Sequence, residues 1–166
     1  MARRTFGFTL FELLLVLCLV MILFLVVVDR LLPLRAEAEA AHVAQVVGSI
    51  RSGLGLAVAE RAVEGGLETL PELDGSDPMQ FLARVPPNYG GTLEGAAAPP
   101  AGEWAFHSGS GSLLYRPRWP GAVPATGPDP EILAWRILVT RPERGLPRVE
   151  FIAVQAPTVT VRVGRS

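Results

Sequence analysis

The sequence predicts an α+β fold in which a long N-terminal helix, apolar throughout its first half, packs on a small antiparallel β-sheet. Three observations predict this fold. Sixteen consecutive apolar residues occupy positions 13–28, an apolar stripe of helical period follows at positions 43–58, and β-rich runs separated by glycine and proline fill the second half. The chain has 166 residues, enough for one domain beyond the apolar segment.

Composition excludes several functional classes. The net charge of −1 gives no electrostatic footprint for a polyanionic partner, and the one cysteine, Cys18, rules out an internal disulfide or a cysteine-rich metal site. His42 and His107 have no metal-ligand spacing, and the chain has no glycine-rich phosphate loop and no G-x-S-x-G or H-E-x-x-H motif. We therefore expect no enzymatic activity, no catalytic residue, no cofactor and no metal site.

The apolar segment has the length and the flanks of a transmembrane helix. Residues 8–28 form a run of 21 residues with two polar interruptions, and as a helix they are about 31 Å long, which matches a hydrocarbon core of about 30 Å. Arg3 and Arg4 precede the run, and no further arginine occurs before Arg30. The positive-inside bias then leaves the N-terminus in the cytoplasm and exports the rest of the chain. We assign residues 8–32 to this helix.

Glu12 does not suit a plain membrane anchor. An acid at the centre of a spanning helix costs roughly 2.5–3.5 kcal/mol, and the segment contains no basic residue to offset it. A cut before Phe8 would supply a cation, because the new α-ammonium group lies four residues from Glu12 on one helix face. Between neighbouring subunits, the same pair would set the register. Two other interpretations stay open: a cleavable signal peptide ending at Ala36-Glu37-Ala38, and a single-pass anchor.

The basic leader, the run Gly7-Phe8-Thr9-Leu10-Phe11-Glu12 and the apolar helix after it form one combined pattern over residues 1–30. This pattern resembles the prepilin cleavage and methylation motif of type IV pilins and type II secretion pseudopilins. The resemblance implies that a prepilin peptidase cuts between Gly7 and Phe8 and then methylates Phe8. It also implies that Glu12 pairs with the N-terminal amine of an adjacent subunit during assembly.

The same resemblance implies a cellular location and a set of partners. The chain would be a pilin-like structural subunit that loses its leader, residues 1–7, and stays in a bacterial inner membrane with its head in the periplasm. Its partners would be the prepilin peptidase, an inner-membrane assembly platform and other pilin or pseudopilin subunits in a filament. A type II secretion pseudopilus and a type IV pilus both fit, with this chain as a major or a minor component. The alternative is a single-pass, membrane-anchored periplasmic binding module that does not polymerise.

Two features depart from the family pattern. Many family members have a proline at the end of the membrane segment, where this chain has Asp29, and Pro33 follows four residues later. Because proline lacks a backbone donor and crowds the preceding turn, we expect a helix kink at Pro33. The chain also lacks the C-terminal cysteine pair of many pilus subunits, which pseudopilins often lack too.

Residues 33–66 are predicted to continue the helix as its periplasmic half. One face has apolar residues at helical spacing and is expected to pack on the head. This stripe consists of Val43, Val47, Ile50, Leu54 and Val58. A glycine pair at positions 65–66 offers a C-cap. Gly48, Gly53 and Gly55 each weaken a helix by about 1 kcal/mol relative to alanine, so either they have no role or they allow close helix approach in a filament.

Residues 67–166 are predicted to form a globular head with about four antiparallel strands. Asp77-Pro78 indicates the start of a short helix that runs to about Arg84. The predicted strands are residues 103–107, 112–118, 132–140 and 149–154, with a further β-rich run at 159–163. The predicted core residues are Trp104, Phe106, Leu113, Tyr115, Trp135, Ile137, Phe151 and Ile152. A helix stripe lying on such a sheet is also the arrangement that the pilin resemblance implies.

Three polar groups in the head are weaker candidates for sites. His107 lies at a predicted hairpin turn, where we expect a solvated side chain. Glu72, Asp74 and Asp77 form an acidic cluster, for which calcium binding is the lesser alternative to solvation. The third group consists of Tyr115, Arg116, Arg118 and Trp119. Basic side chains among aromatic ones are suited to binding single-stranded nucleic acids. Because this cluster is small, we expect a solvated sheet edge with no nucleic acid partner.

Overall fold

The computed structural model describes residues 9–64, 66–119, 131–142 and 147–157, together with Val123 and Gly145. Its architecture is α+β, and the described residues form one long α-helix, two short 3₁₀ helices and a five-stranded mixed sheet. The helices are α1 (Leu10–Val63), the first 3₁₀ helix (Leu67–Leu73) and the second 3₁₀ helix (Pro78–Phe81). The strands are β1 (Tyr89–Leu93), β2 (Trp104–His107), β3 (Ser112–Tyr115), β4 (Leu133–Thr140) and β5 (Arg148–Val154).

Capping groups define both ends of α1, which has 54 residues. At the N-terminus, the Thr9 hydroxyl accepts a hydrogen bond from the Glu12 N–H at 3.2 Å. At the C-terminus, the helix ends at Val63, and the Gly66 N–H donates to the Arg61 carbonyl at 2.8 Å. These bonds satisfy backbone groups that a helix end otherwise leaves unpaired.

The second half of α1 packs on the head through the predicted stripe. Val43, Val47, Ile50 and Leu54 are buried, and Val58 is half-buried beside them. Fully burying one such side chain contributes about 1.5–3 kcal/mol, so the stripe is enough to hold this half of the helix against the sheet.

The sheet corrects the prediction of about four antiparallel strands. Its order is β1-β2-β3-β4-β5, in which β2 to β5 pair antiparallel while β1 pairs parallel with β2. We missed β1 because its sequence, Tyr89-Gly90-Gly91-Thr92-Leu93, contains two glycines, which are depleted in strands. Pairing with β2 outweighs that low propensity. The predicted β-rich run at 159–163 lies outside the described residues.

One face of the sheet meets α1 and forms the main core. Six of the eight predicted core residues are buried, and the two exceptions, Phe106 and Ile152, are half-buried. Trp104 lies at the centre of this core, with its ring centroid 4.6 Å from that of Tyr115 and 5.5 Å from that of Trp135. Aromatic contacts of this kind add about 0.5–1.5 kcal/mol each beyond the area they bury.

The opposite face of the sheet carries a smaller cluster of Leu114, Ile132 and Ala134. A parallel strand pair needs a crossover connection, and residues 94–103 provide it between β1 and β2. Ala98 in this connection packs on the small cluster. The crossover that makes β1 parallel therefore also covers the outer face of the sheet.

The predicted short helix after Asp77 is a 3₁₀ helix that ends at Phe81 instead of near Arg84. The Asp77 carboxylate caps it by accepting a hydrogen bond from the Met79 N–H at 2.9 Å. The same carboxylate accepts a second hydrogen bond from the Tyr89 hydroxyl at 2.7 Å. Burial and this bond raise the pKa of Tyr89 above its ordinary value. Asp77 therefore ties the second 3₁₀ helix to β1.

Candidate functional site

The candidate site begins with the apolar first half of α1. Among the described residues, one stretch, Leu10–Val28, is long and apolar enough to cross a membrane, with a mean hydropathy of 3.3. None of this stretch is buried against the other residues that the structure describes. A helix that is apolar on all sides belongs either in a large protein core or in a membrane, and the head provides no such core around it. By length and composition, this half fits a membrane span.

Glu12 lies in the first turn of α1, at the N-terminal edge of this apolar half, with its side chain exposed. Within the described part of the chain, its carboxylate has no hydrogen-bond or ion-pair partner. The positive end of the helix dipole stabilises an acid here by about 0.3–1 kcal/mol, which is less than the roughly 2.5–3.5 kcal/mol cost of an acid deep in a membrane. In a membrane, a cation beyond the described residues would be needed to offset the rest.

The other residues of the predicted processing site, Arg3, Arg4, Gly7 and Phe8, lie outside the described residues. Pro33 lies within α1, and the helix continues through this position without a break. The kink at Pro33 therefore stays a prediction.

The three helix glycines have different surroundings. Gly53 approaches the second 3₁₀ helix so closely that an added Cβ atom would overlap the carbonyl oxygen of Phe81. By contrast, Gly48 and Gly55 are exposed, and an added Cβ would meet no atom within 4 Å in the described structure. Packing within the chain therefore explains Gly53, and it does not explain Gly48 or Gly55.

Glu39 holds the end of β3 and the residues after it against α1. Its Oε1 accepts hydrogen bonds from the Tyr115 hydroxyl at 2.8 Å and the Arg118 N–H at 2.7 Å, and its Oε2 accepts one from the Trp119 N–H at 3.0 Å. The sequence interpretation missed this anchor. A signal was present, because Glu39 precedes Val43 by four residues and so shares the helix face of the buried stripe.

This anchor changes the interpretation of the basic and aromatic cluster that follows β3. Tyr115 is buried, and burial together with its hydrogen bond to Glu39 raises the pKa of its hydroxyl. Arg116 pairs with Glu131 across 3.7 Å. The expectation of a sheet edge is wrong, because β3 is an interior strand between β2 and β4, whereas Arg118 and Trp119 after the strand are exposed, as expected. Acids outside the cluster, Glu39 and Glu131, contact its members, and Glu39 fastens it to α1.

Two residues of the acidic cluster have structural roles. The Asp74 carboxylate accepts hydrogen bonds from Arg136 Nη2 and from the Val139 N–H, each at 3.0 Å, and so ties the first 3₁₀ helix to β4. Asp77 caps the second 3₁₀ helix, as described above. In the part of the chain that the structure describes, no group of three or more His, Cys, Asp or Glu residues is placed to hold a metal ion.

The expectation of a solvated His107 is also wrong, because this residue is only 8% exposed. Its Nδ1 accepts a hydrogen bond from the Ser110 N–H at 3.1 Å, so the proton lies on Nε2. Nε2 then donates to the Gly95 carbonyl at 2.6 Å. The ring joins the turn after β2 to the crossover from β1, which is a structural role.

Comparison with known proteins finds no relative: no protein-family model matches the chain, and no curated protein or solved structure shows significant similarity to it. Three features of the structure then bear on function: the uncovered apolar half of α1, the acid at position 12 and the exposed glycines of the second half.

Proposed function

We propose that the chain is a pilin-like structural subunit. A prepilin peptidase removes residues 1–7 and methylates Phe8, and the subunit is held in the inner membrane by the apolar half of α1. With an inner-membrane assembly platform, it enters a filament of the type II secretion pseudopilus or type IV pilus kind, as a major or a minor component.

Glu12 is the observation that carries this proposal. A monomeric anchor gains nothing from an acid in its membrane segment, and this acid has no partner among the described residues. In a filament, the methylated amine of an adjacent subunit supplies the missing cation. The pair forms only when the incoming subunit is at the right depth, so it sets the register of assembly.

The outer face of the second half of α1 supports the proposal independently. This face is exposed and is made of small residues at helical spacing. Its members are Ala41, Ala44, Gly48, Ser52, Gly55 and Ala59. Small residues let two helix backbones approach closely. Because nothing in the described structure requires a glycine at Gly48 or Gly55, contact between neighbouring subunits gives both a role.

The head is compatible with the proposal without being specific to it. Its helix lies on a β-sheet, as the resemblance implies, but many α+β domains have this arrangement, and one strand pair is parallel. The proposal therefore depends on α1 more than on the head.

Glu12→Leu is the variant that tests assembly. We expect its level in the membrane fraction to be unchanged or higher, because a costly acid is removed. We expect sheared filaments and subunit–subunit cross-links to be lost, because the amine has no partner. Glu12→Gln should behave in the same way, because it keeps the polarity but lacks the charge.

Glu37→Leu is the matched control for this experiment. Glu37 is an exposed acid on the same helix beyond the apolar half, and it too has no partner among the described residues. Filament yield should stay normal in this variant. Normal filaments in Glu12→Leu would contradict the pairing role, and a wild-type chain that reaches the membrane but never polymerises would favour the anchored binding module.

A further inference from the structure

Residues 115–119 form the corner of the head that lies nearest to the apolar half of α1. The height of this corner is its distance along the helix from the end of the apolar stretch. At 1.5 Å per residue, Arg35 is about 10 Å and Glu39 about 16 Å beyond Val28, where the apolar stretch ends. The polar headgroup layer of a bilayer extends about 5–7 Å beyond each side of its hydrocarbon core. The Cα atom of Arg35 is then about 3–5 Å outside this layer, a distance that a side chain leaning back towards Val28 can span if α1 crosses a membrane.

Glu39 fixes the segment that lies at this corner. The Arg118 and Trp119 N–H groups both donate to its carboxylate, at 2.7 Å and 3.0 Å. Three hydrogen bonds to one carboxylate, counting that of Tyr115, leave this segment little freedom to move along the helix. The height of Trp119 is therefore set by the height of Glu39.

Trp119 lies on the side of this segment that faces the apolar half. Its ring centroid is 5.5 Å from the guanidinium carbon of Arg35, one helical turn before Glu39. Side chains on a helix lean towards its N-terminus, so the Arg35 head group lies below its own Cα, closer to Val28. Trp119 is 36% exposed, whereas Trp104 and Trp135 are buried. An exposed indole at this height is typical of the membrane interface, and an arginine beside it can lay its aliphatic stem along apolar surface while its charged group stays in the headgroup layer.

The surroundings of the pair are amphipathic and balanced in charge. Leu31 and Leu34 on this part of α1 are 51% and 52% exposed. The sequence has three acids and two bases between positions 29 and 39, and Arg118 adds a third base. They are Asp29, Arg30, Arg35, Glu37, Glu39 and Arg118. A balanced set beside exposed leucines suits a zwitterionic headgroup layer, which offers both phosphate and ammonium groups, better than it suits a polyanion.

We propose that Trp119 and Arg35 form an interfacial anchor that rests this corner of the head on the lipid headgroups of the membrane that α1 spans. The inference rests on the membrane location in the proposed function and adds a second contact with the bilayer. Helix and head would then sit on the membrane in one orientation before assembly, with the small-residue face of α1 left free for a neighbouring subunit.

Quenching by spin-labelled lipids tests the anchor. The full chain is reconstituted in phosphatidylcholine vesicles that carry a nitroxide either on the headgroup or deep in the acyl chain. The signal of Trp119 is the difference between wild-type emission and that of Trp119→Phe. We expect about a twofold loss of this signal with the headgroup label and a smaller loss with the deep label, since indoles favour the interface.

Trp119→Phe/Leu138→Trp is the matched control. Leu138 is 36% exposed, the same fraction as Trp119. It lies on β4, about 16 Å along the strand from Leu133, which pairs with Tyr115 at the corner. Its new indole should be unaffected by either label. Flotation of the vesicles with protein but no quenching of Trp119 would overturn the anchor alone, whereas failure of the wild-type chain to float would overturn both the membrane location and the anchor.

Discussion

The two halves of α1 share one continuous helix but have opposite surroundings. Between Leu10 and Val28 the helix is apolar on every side except at Glu12, and none of it is buried against the described residues. Between Val43 and Leu54 it is apolar along one stripe, and that stripe is buried by the head. The head buries the apolar stripe of the second half, and nothing in the part of the chain that the structure describes covers the first half. A membrane or a bundle of other subunits would provide that cover.

The comparison also separates two uses of small residues on the second half. Gly53 faces inward, where the backbone of Phe81 occupies the space of a side chain. Gly48 and Gly55 face outward into open space. The same residue type therefore serves packing within the chain at one position, and we propose that it serves packing between chains at the other two.

Gly53→Ala breaks the inward contact and has the largest expected effect on stability. The new methyl group would overlap a backbone carbonyl that cannot move without shifting the second 3₁₀ helix. We expect the free energy of unfolding to fall by about 3 kcal/mol, at the upper end of overpacking effects. Urea unfolding in detergent, followed by the near-ultraviolet circular dichroism of the buried tryptophans, measures this change.

Gly48→Ala is the matched variant on the outward face. It should raise the free energy of unfolding by up to about 1 kcal/mol, because alanine is the better helix former and the site is open. A similar loss of stability in both glycine variants would contradict the distinction between the two faces.

Glu39→Ala removes the anchor between α1 and the end of β3. We expect a loss of about 2 kcal/mol in the free energy of unfolding, because a hydrogen bond to a charged group contributes about 1.5–3 kcal/mol and two of the three donors are partly exposed to water. The same urea measurement applies. Glu37→Ala, which removes an exposed acid without partners two residues earlier, should change stability by less than about 0.5 kcal/mol, and an equal loss in both variants would argue against the anchor.

The two tyrosines should make a smaller, pH-dependent contribution to the free energy of unfolding. Burial and the hydrogen bonds to Asp77 and Glu39 raise the pKa of Tyr89 and Tyr115 in the folded chain. In the unfolded chain, both ionise near their ordinary value of about 10, so the unfolded state loses protons first as the pH rises. Their stabilising contribution is complete below about pH 10 and declines above it towards the raised native pKa.

Urea midpoints measured across this alkaline range check the effect. The chain has no lysine and only two tyrosines, so few other groups titrate there. In the double variant Tyr89→Phe/Tyr115→Phe, stability should fall less steeply with rising pH than it does in the wild-type chain. An unchanged slope in this double variant would show that other groups cause the decline.

Much of the helix and little of the polar detail could be predicted from the sequence. The apolar run and the stripe at 43–58 have strong periodic signals, and burial of the stripe follows from its spacing. Strand β1 could not be predicted, because a Tyr-Gly-Gly sequence becomes a strand only through pairing with β2. The parallel direction of that pair depends on a crossover with no hydrophobic pattern of its own.

The polar contacts could not be predicted from the sequence, for a different reason. Glu39 and His107 are polar residues whose partners lie far along the chain or in turns, and no local pattern identifies such partners. The position of Glu39 on the stripe face was the one usable sign. The sequence identifies Gly53 as an unfavourable residue within a helix, but whether its open side faces the same chain or a neighbouring chain depends on tertiary structure.

Intact mass and N-terminal peptide analysis of the mature protein, purified from membranes of a host with a prepilin peptidase, tests the central claim most directly. We predict a chain that begins at Phe8 with an N-methyl group and lacks residues 1–7. Replacing Gly7 with a bulky residue should leave the leader in place. A mature chain that begins at Glu39, after Ala36-Glu37-Ala38, would indicate signal peptidase instead, and an unmodified chain that keeps its leader in that host would equally contradict the pilin-like function.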